Sequence, residues 1–139
     1  MLNKKSGLLA LSGISSDMRE ILKASEEKNP RALLALKTYC YRVRKYIGAY
    51  VASMGGLDTL VFTGGVGQGS ADVRALACQG LECMGVMIDP ERNRDARGFD
   101  EVCRISEDSS TVTVLVVPTD EERMMAREAL DALSRRSAE

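Results

Sequence analysis

The amino-acid sequence predicts an α/β protein, and three features carry that expectation. Leu57 to Phe62 is a short apolar run that enters a glycine-rich turn and then a capped helix. Val112 to Val117 repeats the pattern: Pro118 stops the run, and Thr119 with Glu122 forms a capping-box signature for a terminal helix. Strand and helix thus alternate at least twice, which favours α/β layers over a helical bundle.

The elements follow in order. Residues 1 to 15 are a Ser- and Gly-punctuated entry. From Ser15 or Ser16 a short helix is expected, with Asp17 in its first turn, Met18, Ile21 and Leu22 on one apolar side, and an end between Glu26 and Asn29. Asn29-Pro30 is an N-cap and first-position pair for a long helix. Leu36, Cys40, Val43, Ile47, Tyr50 and Met54 recur at four- and three-residue steps, forming one stripe until Gly55-Gly56 ends it. After the strand at Leu57 to Phe62 and the turn at Thr63 to Ser70, Ser70 caps a helix bearing Val73, Leu76, Ala77, Leu81 and Met84. Gly85 to Ile88 reads as a further strand before an Asp89-Pro90 turn, and polar residues 91 to 110 read as a surface excursion. The terminal helix carries Met125, Ala129, Leu130 and Leu133, and Arg135 to Glu139 is expected to fray. No internal repeat or long linker divides the chain, so it is one domain or the C-terminal part of one.

Composition narrows the chemistry. The 139 residues are 45% hydrophobic, with 19 Lys and Arg against 20 Asp and Glu, and they include no His. This chain therefore supplies no His base, phosphohistidine or His-ligated metal, and its near-neutral charge argues against a duplex nucleic-acid binder. Cys40, Cys78, Cys83 and Cys103 are widely spaced, without a CxxC pattern, and read as reduced cytosolic thiols. No apolar stretch approaches the roughly 18 residues of a spanning helix, and the opening lacks a secretion signal. A cytoplasmic location is the resulting expectation.

Three segments could carry function. Thr63-Gly64-Gly65-Val66-Gly67-Gln68-Gly69-Ser70 joins a strand to a helix N-terminus, with backbone N–H groups suited to a phosphate. It matches neither GxGxxG nor a P-loop, and an ordinary tight turn is an equal reading. Ser15-Ser16-Asp17-Met18-Arg19 is either a helix start with a solvent-facing Arg or a nucleoside contact, with Asp17 accepting ribose hydrogen bonds. Val117-Pro118-Thr119-Asp120-Glu121-Glu122 is either a helix cap or a place where Asp120 or Glu121 binds a phosphate-associated Mg²⁺.

Taken together, these motifs resemble the acetate kinase family, also called acetate and propionate kinases. The matching stretches are Met1-Leu2-Asn3-Lys4-Lys5-Ser6-Gly7, Ser15 to Arg19, Tyr41-Arg42-Val43-Arg44-Lys45-Tyr46-Ile47-Gly48-Ala49-Tyr50, Val61 to Gly67 and Val117 to Glu122, so the likeness spans residues 1 to 134. The resemblance implies the C-terminal third of such an enzyme, a partial actin-like ATPase (ribonuclease H-like) domain carrying its nucleotide-binding portion. It further implies reversible phosphoryl transfer from ATP to acetate, giving acetyl phosphate and ADP, with Mg²⁺, and propionate as an alternative acceptor. A homodimer is implied, as is a terminal helix that packs toward the start of the full enzyme. By motif, Asp17, Met18 and Arg19 would flank the adenosine, Gly65, Val66, Gly67, Gln68 and Gly69 would form the nucleotide turn, and Glu121 would position Mg²⁺.

The family's transition-state Arg residues, acetate-orienting Asp and phosphate-facing His belong to sequence upstream of these motifs, so the catalytic set is incomplete here. The family turn is usually Gly-Ile-Gly-Glu-Asn; this chain has Gly65-Val66-Gly67-Gln68-Gly69, one carboxylate and one amide fewer. Two other readings remain at this point: a noncatalytic nucleotide-binding or dimerisation domain, and a propionate kinase fragment.

Overall fold

Asn29 accepts hydrogen bonds from the backbone N–H groups of Arg31 and Ala32 and, with Pro30 behind it, starts the longest helix of the chain. The computed structural model describes residues 5–96 and 101–136, with backbone only at Arg135 and Arg136. The expected entry at residues 1–4 and part of the expected tail therefore lie outside the described residues. The elements are α1 (Leu8–Ser12), α2 (Met18–Glu26), α3 (Pro30–Met54), β1 (Thr59–Phe62), α4 (Gly64–Gly69), α5 (Ala71–Cys78), a 3₁₀ turn (Glu82–Met84), α6 (Pro90–Asp95), β2 (Cys103–Arg104), β3 (Thr113–Val116) and α7 (Glu121–Arg136).

The sheet order is β1-β3-β2. β1 and β3 run parallel, with Thr59 opposite Thr113 and Phe62 opposite Val116, while β2 is antiparallel to β3. Phe62, Val114, Val116 and Ile105 pack with Ala77, Cys78 and Leu81 as one core; Met18, Ile21, Ala35, Leu36, Cys40 and Val73 form a second. α3 and α5 each contribute to both, α3 through Leu36 and Cys40 in one and Val43 and Ile47 in the other. Burial raises the Cys40 thiol pKa to about 11 and that of Cys78 to about 12, so both remain neutral packing groups at ordinary pH.

α3 follows the predicted stripe, but only in part. Leu36 and Cys40 are buried and Val43 and Ile47 half-buried, whereas Tyr50 and Met54 are 61% and 64% exposed because the last turns outrun the packed body. Gly55 ends α3 as expected, at φ 76 with its N–H on the Val51 carbonyl. Among the described residues no helix is long and apolar enough to cross a membrane.

Several expectations are corrected. Asp17 is the N-cap of α2, not a first-turn residue. The Gly64–Gly69 segment is a short helix, not an open turn. α5 stops at Cys78 because Gly80 takes φ 84; Leu81 is buried from the following loop instead. Residues 85–88 form no strand: Gly85 turns the backbone at φ 82, and pairing is limited to one bridge between Ile88 and Ser106. Asp89-Pro90 opens α6 with Asp89 as its cap.

The 91–110 segment, of which 97–100 lie outside the described residues, is not a surface excursion. Asn93, Ala96, Ile105 and Ser106 are buried, the last two completely. α7 is capped by Asp120, whose carboxylate accepts from the Arg123 N–H at 2.9 Å, while Thr119 turns elsewhere. Its predicted apolar residues face outward, with Met125, Leu130 and Leu133 more than 60% exposed.

One residue stands against its own backbone. Lys28, just past α2, has φ 61 with its side chain exposed, and Asn29 N–H closes the helix end onto the Ala24 carbonyl. Left-handed backbone costs an ordinary L-residue roughly 1–2 kcal/mol, part of which glycine returns as unfolded-state entropy. Lys28→Gly should therefore raise stability in urea denaturation by about 0.5–1 kcal/mol.

Candidate functional site

Parallel strands β1 and β3 finish side by side, and the chain segments leaving them are tied together. Val117 N–H donates to the Phe62 carbonyl at 2.9 Å, Thr63 Oγ1 donates to the Val117 carbonyl at 2.9 Å, and Thr119 Oγ1 donates to Gln68 Oε1 at 3.1 Å. This is the carboxyl end of the strands, where α/β sheets place ligands.

α4 begins there, and four of its six residues are glycine. Each interior glycine costs about 1 kcal/mol relative to alanine in a helix, so α4 needs tertiary support. Val66 packs on the helical core, Gln68 is buried with its amide on Thr119, and the Arg74 side chain holds the carbonyls of Gly67 and Gln68 at 2.8 Å each. The glycines differ in what they face. A Cβ on Gly67 would rest against the Phe62 backbone at 3.4 Å, whereas a Cβ on Gly65 or Gly69 would meet nothing within 4 Å beyond its own helix. Gly67 is thus enclosed by this chain, whereas packing leaves the missing side chain at Gly65 and Gly69 unexplained.

Gly65, Val66 and Gly69 line a cleft of about 610 Å³, with Ser70 at the start of α5 and Asp17, Met18, Arg19 and Leu22 from α2 on its other side. That volume lies within the 300–1,000 Å³ usual for small-molecule sites. Two segments nearly fifty residues apart therefore converge. Met18 is 5% exposed and also belongs to the core, which fixes this wall. Gly67 and Gln68 do not line the cleft; they hold α4 from behind.

Asp17 and Arg19 form the polar wall. Arg19 Nη2 lies 2.6 Å from Asp17 Oδ2, Nε lies 3.1 Å from both carboxylate oxygens, and Arg19 N–H donates to Asp17 Oδ1 at 2.9 Å. The Arg19 side-chain bonds, then its backbone N–H, hold the Asp17 pKa at about 2, below its ordinary 3.8. A depressed carboxylate pKa favours the fold above 3.8, and that contribution is lost as pH falls through about 2. Because the pair is solvent-exposed, its charge is screened and it acts chiefly on orientation. In an NMR titration, Arg19→Ala should move the Asp17 midpoint upward toward 3.8 without reaching it, since the backbone N–H of residue 19 still donates.

Glu121 is exposed in the first turn of α7, two residues beyond Thr119, and does not line the cleft. Among the described residues no group of three or more His, Cys, Asp or Glu could enclose a metal. Mg²⁺ bound to a nucleotide needs only one or two carboxylates, with phosphates and water completing its shell. Asp120 commits one oxygen to capping α7, and Glu121 and Glu122 are both exposed in the first turn of that helix. Arg74 and Asn93 went unsuspected in the sequence; the available signal was an arginine among Val73, Ala77 and Cys78 on the buried side of α5.

Comparison with known proteins agrees with this geometry. Residues 1–127 match the model of the Acetokinase family. An acetate kinase of Phocaeicola vulgatus is 54% identical over 135 residues, which cover 97% of this chain and 33% of that protein. The crystal structure of Porphyromonas gingivalis acetate kinase superposes with a TM-score of 0.84 at 50% identity, over 95% of this chain and 33% of that one. A propionate kinase from Francisella tularensis gives 0.79 at 36% identity, over 92% and 32%. The chain spans about a third of the length of the curated relatives it matches. Its small mixed sheet and flanking helices are those of the actin-like ATPase fold in its acetate-kinase form. Motifs, fold and likeness over nearly the whole chain agree that it belongs to the acetokinase family.

Proposed function

We propose that this chain is the C-terminal, nucleotide-binding third of an acetate kinase, an enzyme transferring the ATP γ-phosphoryl group reversibly to acetate to give acetyl phosphate and ADP. One observation carries the reading: Asp17, Met18 and Arg19 share a single cleft with Gly65, Val66 and Gly69, two of whose glycines have no packing reason within the chain. In this role Asp17 accepts hydrogen bonds from the ribose, Arg19 lies along the base, and α4 admits the nucleotide close to its backbone. Glu121 would hold Mg²⁺, directly or through water; the ion, when bound, neutralises phosphate charge, and phosphoryl transfer depends mainly on such positioning.

The chain contains no His, so the phosphate-facing His implied by the family would come from the rest of the enzyme; the resemblance places the transition-state Arg residues and the acetate site there too. Association as a homodimer belongs to the same reading. Propionate is the alternative acceptor, supported by likeness to a propionate kinase at lower identity than to the acetate kinases.

Calorimetric titration of Mg-ATP into the purified chain tests the nucleotide step. Saturable binding is expected, weaker than in a complete enzyme. No heat from a folded, monodisperse sample would mean that this chain alone does not bind nucleotide.

A further inference from the structure

Arg74 is 1% exposed, and among the described residues no carboxylate meets its guanidinium. Its five hydrogen bonds among the described residues go to neutral oxygens. Nη1 donates to the carbonyls of Gly67 and Gln68 at 2.8 Å, Nε donates to Asn93 Oδ1 at 2.7 Å, and Nη2 donates to the carbonyls of Asn93 and Ala96 at 2.6 and 3.1 Å. Asn93 is itself 4% exposed and donates through Nδ2 to the Ala71 carbonyl at 2.9 Å, closing the arrangement onto the start of α5.

The chemistry of these acceptors is informative. Gly67 and Gln68 lie in the last turn of α4, and Asn93 and Ala96 lie at the end of α6, so Arg74 sits between two helix C-termini. Carbonyls at a helix end lack intrahelical donors and carry partial negative charge, which gives a buried cation its compensation without an acid. A planar fork of five N–H groups can serve such acceptors together; a lysine ammonium has three and no fork. Burial lowers the pKa of Arg74, because desolvation disfavours the charged guanidinium.

The opposite side of α4 is the cleft wall. Since four of the six residues of α4 are glycine, its position depends on a few ties: Val66 on the helical core, Gln68 on Thr119, and Arg74 on the Gly67 and Gln68 carbonyls. We infer that Arg74 is a positioning residue for the nucleotide cleft: it touches no ligand, but by holding the Gly67 and Gln68 carbonyls against the end of α6 it fixes where Gly65, Val66 and Gly69 stand. The inference rests on the nucleotide reading for its consequence and on the clamp geometry for its cause.

The test compares the wild-type chain with Arg74→Lys by hydrogen–deuterium exchange and Mg-ATP calorimetry. Exchange of amides in residues 65–69 should accelerate by about tenfold or more in Arg74→Lys, while amides of Ala35 to Cys40 in α3 change by less than about twofold. Nucleotide affinity should fall by about tenfold. A role only in global stability would raise exchange in both regions alike, and that result overturns the inference, as does an unchanged 65–69 segment. If Arg74→Lys does not fold, Asn93→Ala removes the Nε acceptor and the tie to Ala71 while leaving Arg74 in place. The same local acceleration is then expected, and its absence refutes the clamp. Wild-type protein that fails to bind Mg-ATP while the variant still loosens residues 65–69 rejects the nucleotide reading and not the clamp.

Discussion

Gly85→Ala should destabilise the chain by about 3 kcal/mol, read as a lower urea midpoint with an unchanged slope. Gly85 follows the 3₁₀ turn at φ 82, and holding alanine there costs roughly 1–2 kcal/mol. The added Cβ would also overlap Thr111 Oγ1 and lie 3.3 Å from Thr111 Cβ. Moving Thr111 disturbs a close junction, because the Gly85 carbonyl accepts from Val112 N–H at 3.0 Å and from Ser110 Oγ at 2.8 Å. Val86 and Val112 on either side are both buried in the sheet core. The two costs are separable. Adding Thr111→Ala to Gly85→Ala removes the overlap and leaves the backbone strain, so about half of the loss should return. Full recovery would mean that the left-handed backbone costs nothing here, and no recovery would mean that Thr111 gives way without cost.

The same region shows where sequence reading ends. α3 was legible because its signals are local: Asn29-Pro30 starts it, a four- and three-step stripe orients it, and Gly55 stops it. β1, β3 and the Ser70 cap were legible for the same reason. α4 was not, since glycine opposes helix formation and the groups that impose it, Arg74 and Thr119, are distant in the chain or hidden in another helix's pattern. β2 has only two residues and exists through its pairing with β3. The polar composition of 101–110 concealed Ile105 and Ser106, both fully buried: Ile105 packs in the sheet core, and the Ser106 carbonyl accepts from Arg92 Nη1 of α6. Both walls of the cleft could be named from motifs. That Asp17 and Gly65 share a cleft is a tertiary fact, and only the family resemblance anticipated it.

Gly65→Val should cost about 100-fold or more in Mg-ATP affinity, equivalent to about 2.7 kcal/mol, while leaving the urea midpoint unchanged or slightly raised. Stability and binding separate because of where the new atoms go. A Cβ at Gly65 meets nothing within 4 Å beyond its chain neighbours and its own helix backbone, and this glycine is not in the positive-φ region, so neither a tertiary clash at Cβ nor left-handed strain opposes the substitution. Replacing glycine inside a helix also reduces unfolded-state entropy, which favours folding by up to about 1 kcal/mol. The side chain instead occupies the cleft between α4 and α2, the space assigned to the nucleotide. Gly67→Ala is the control on the other face of α4: its Cβ would rest in contact with Phe62 at 3.4 Å and outside the cleft, so affinity should stay near wild type. Gly65→Ala should lie between wild type and Gly65→Val in affinity with no loss of stability. Wild-type affinity in both Gly65 variants would place the nucleotide somewhere other than this cleft, whatever the family likeness implies.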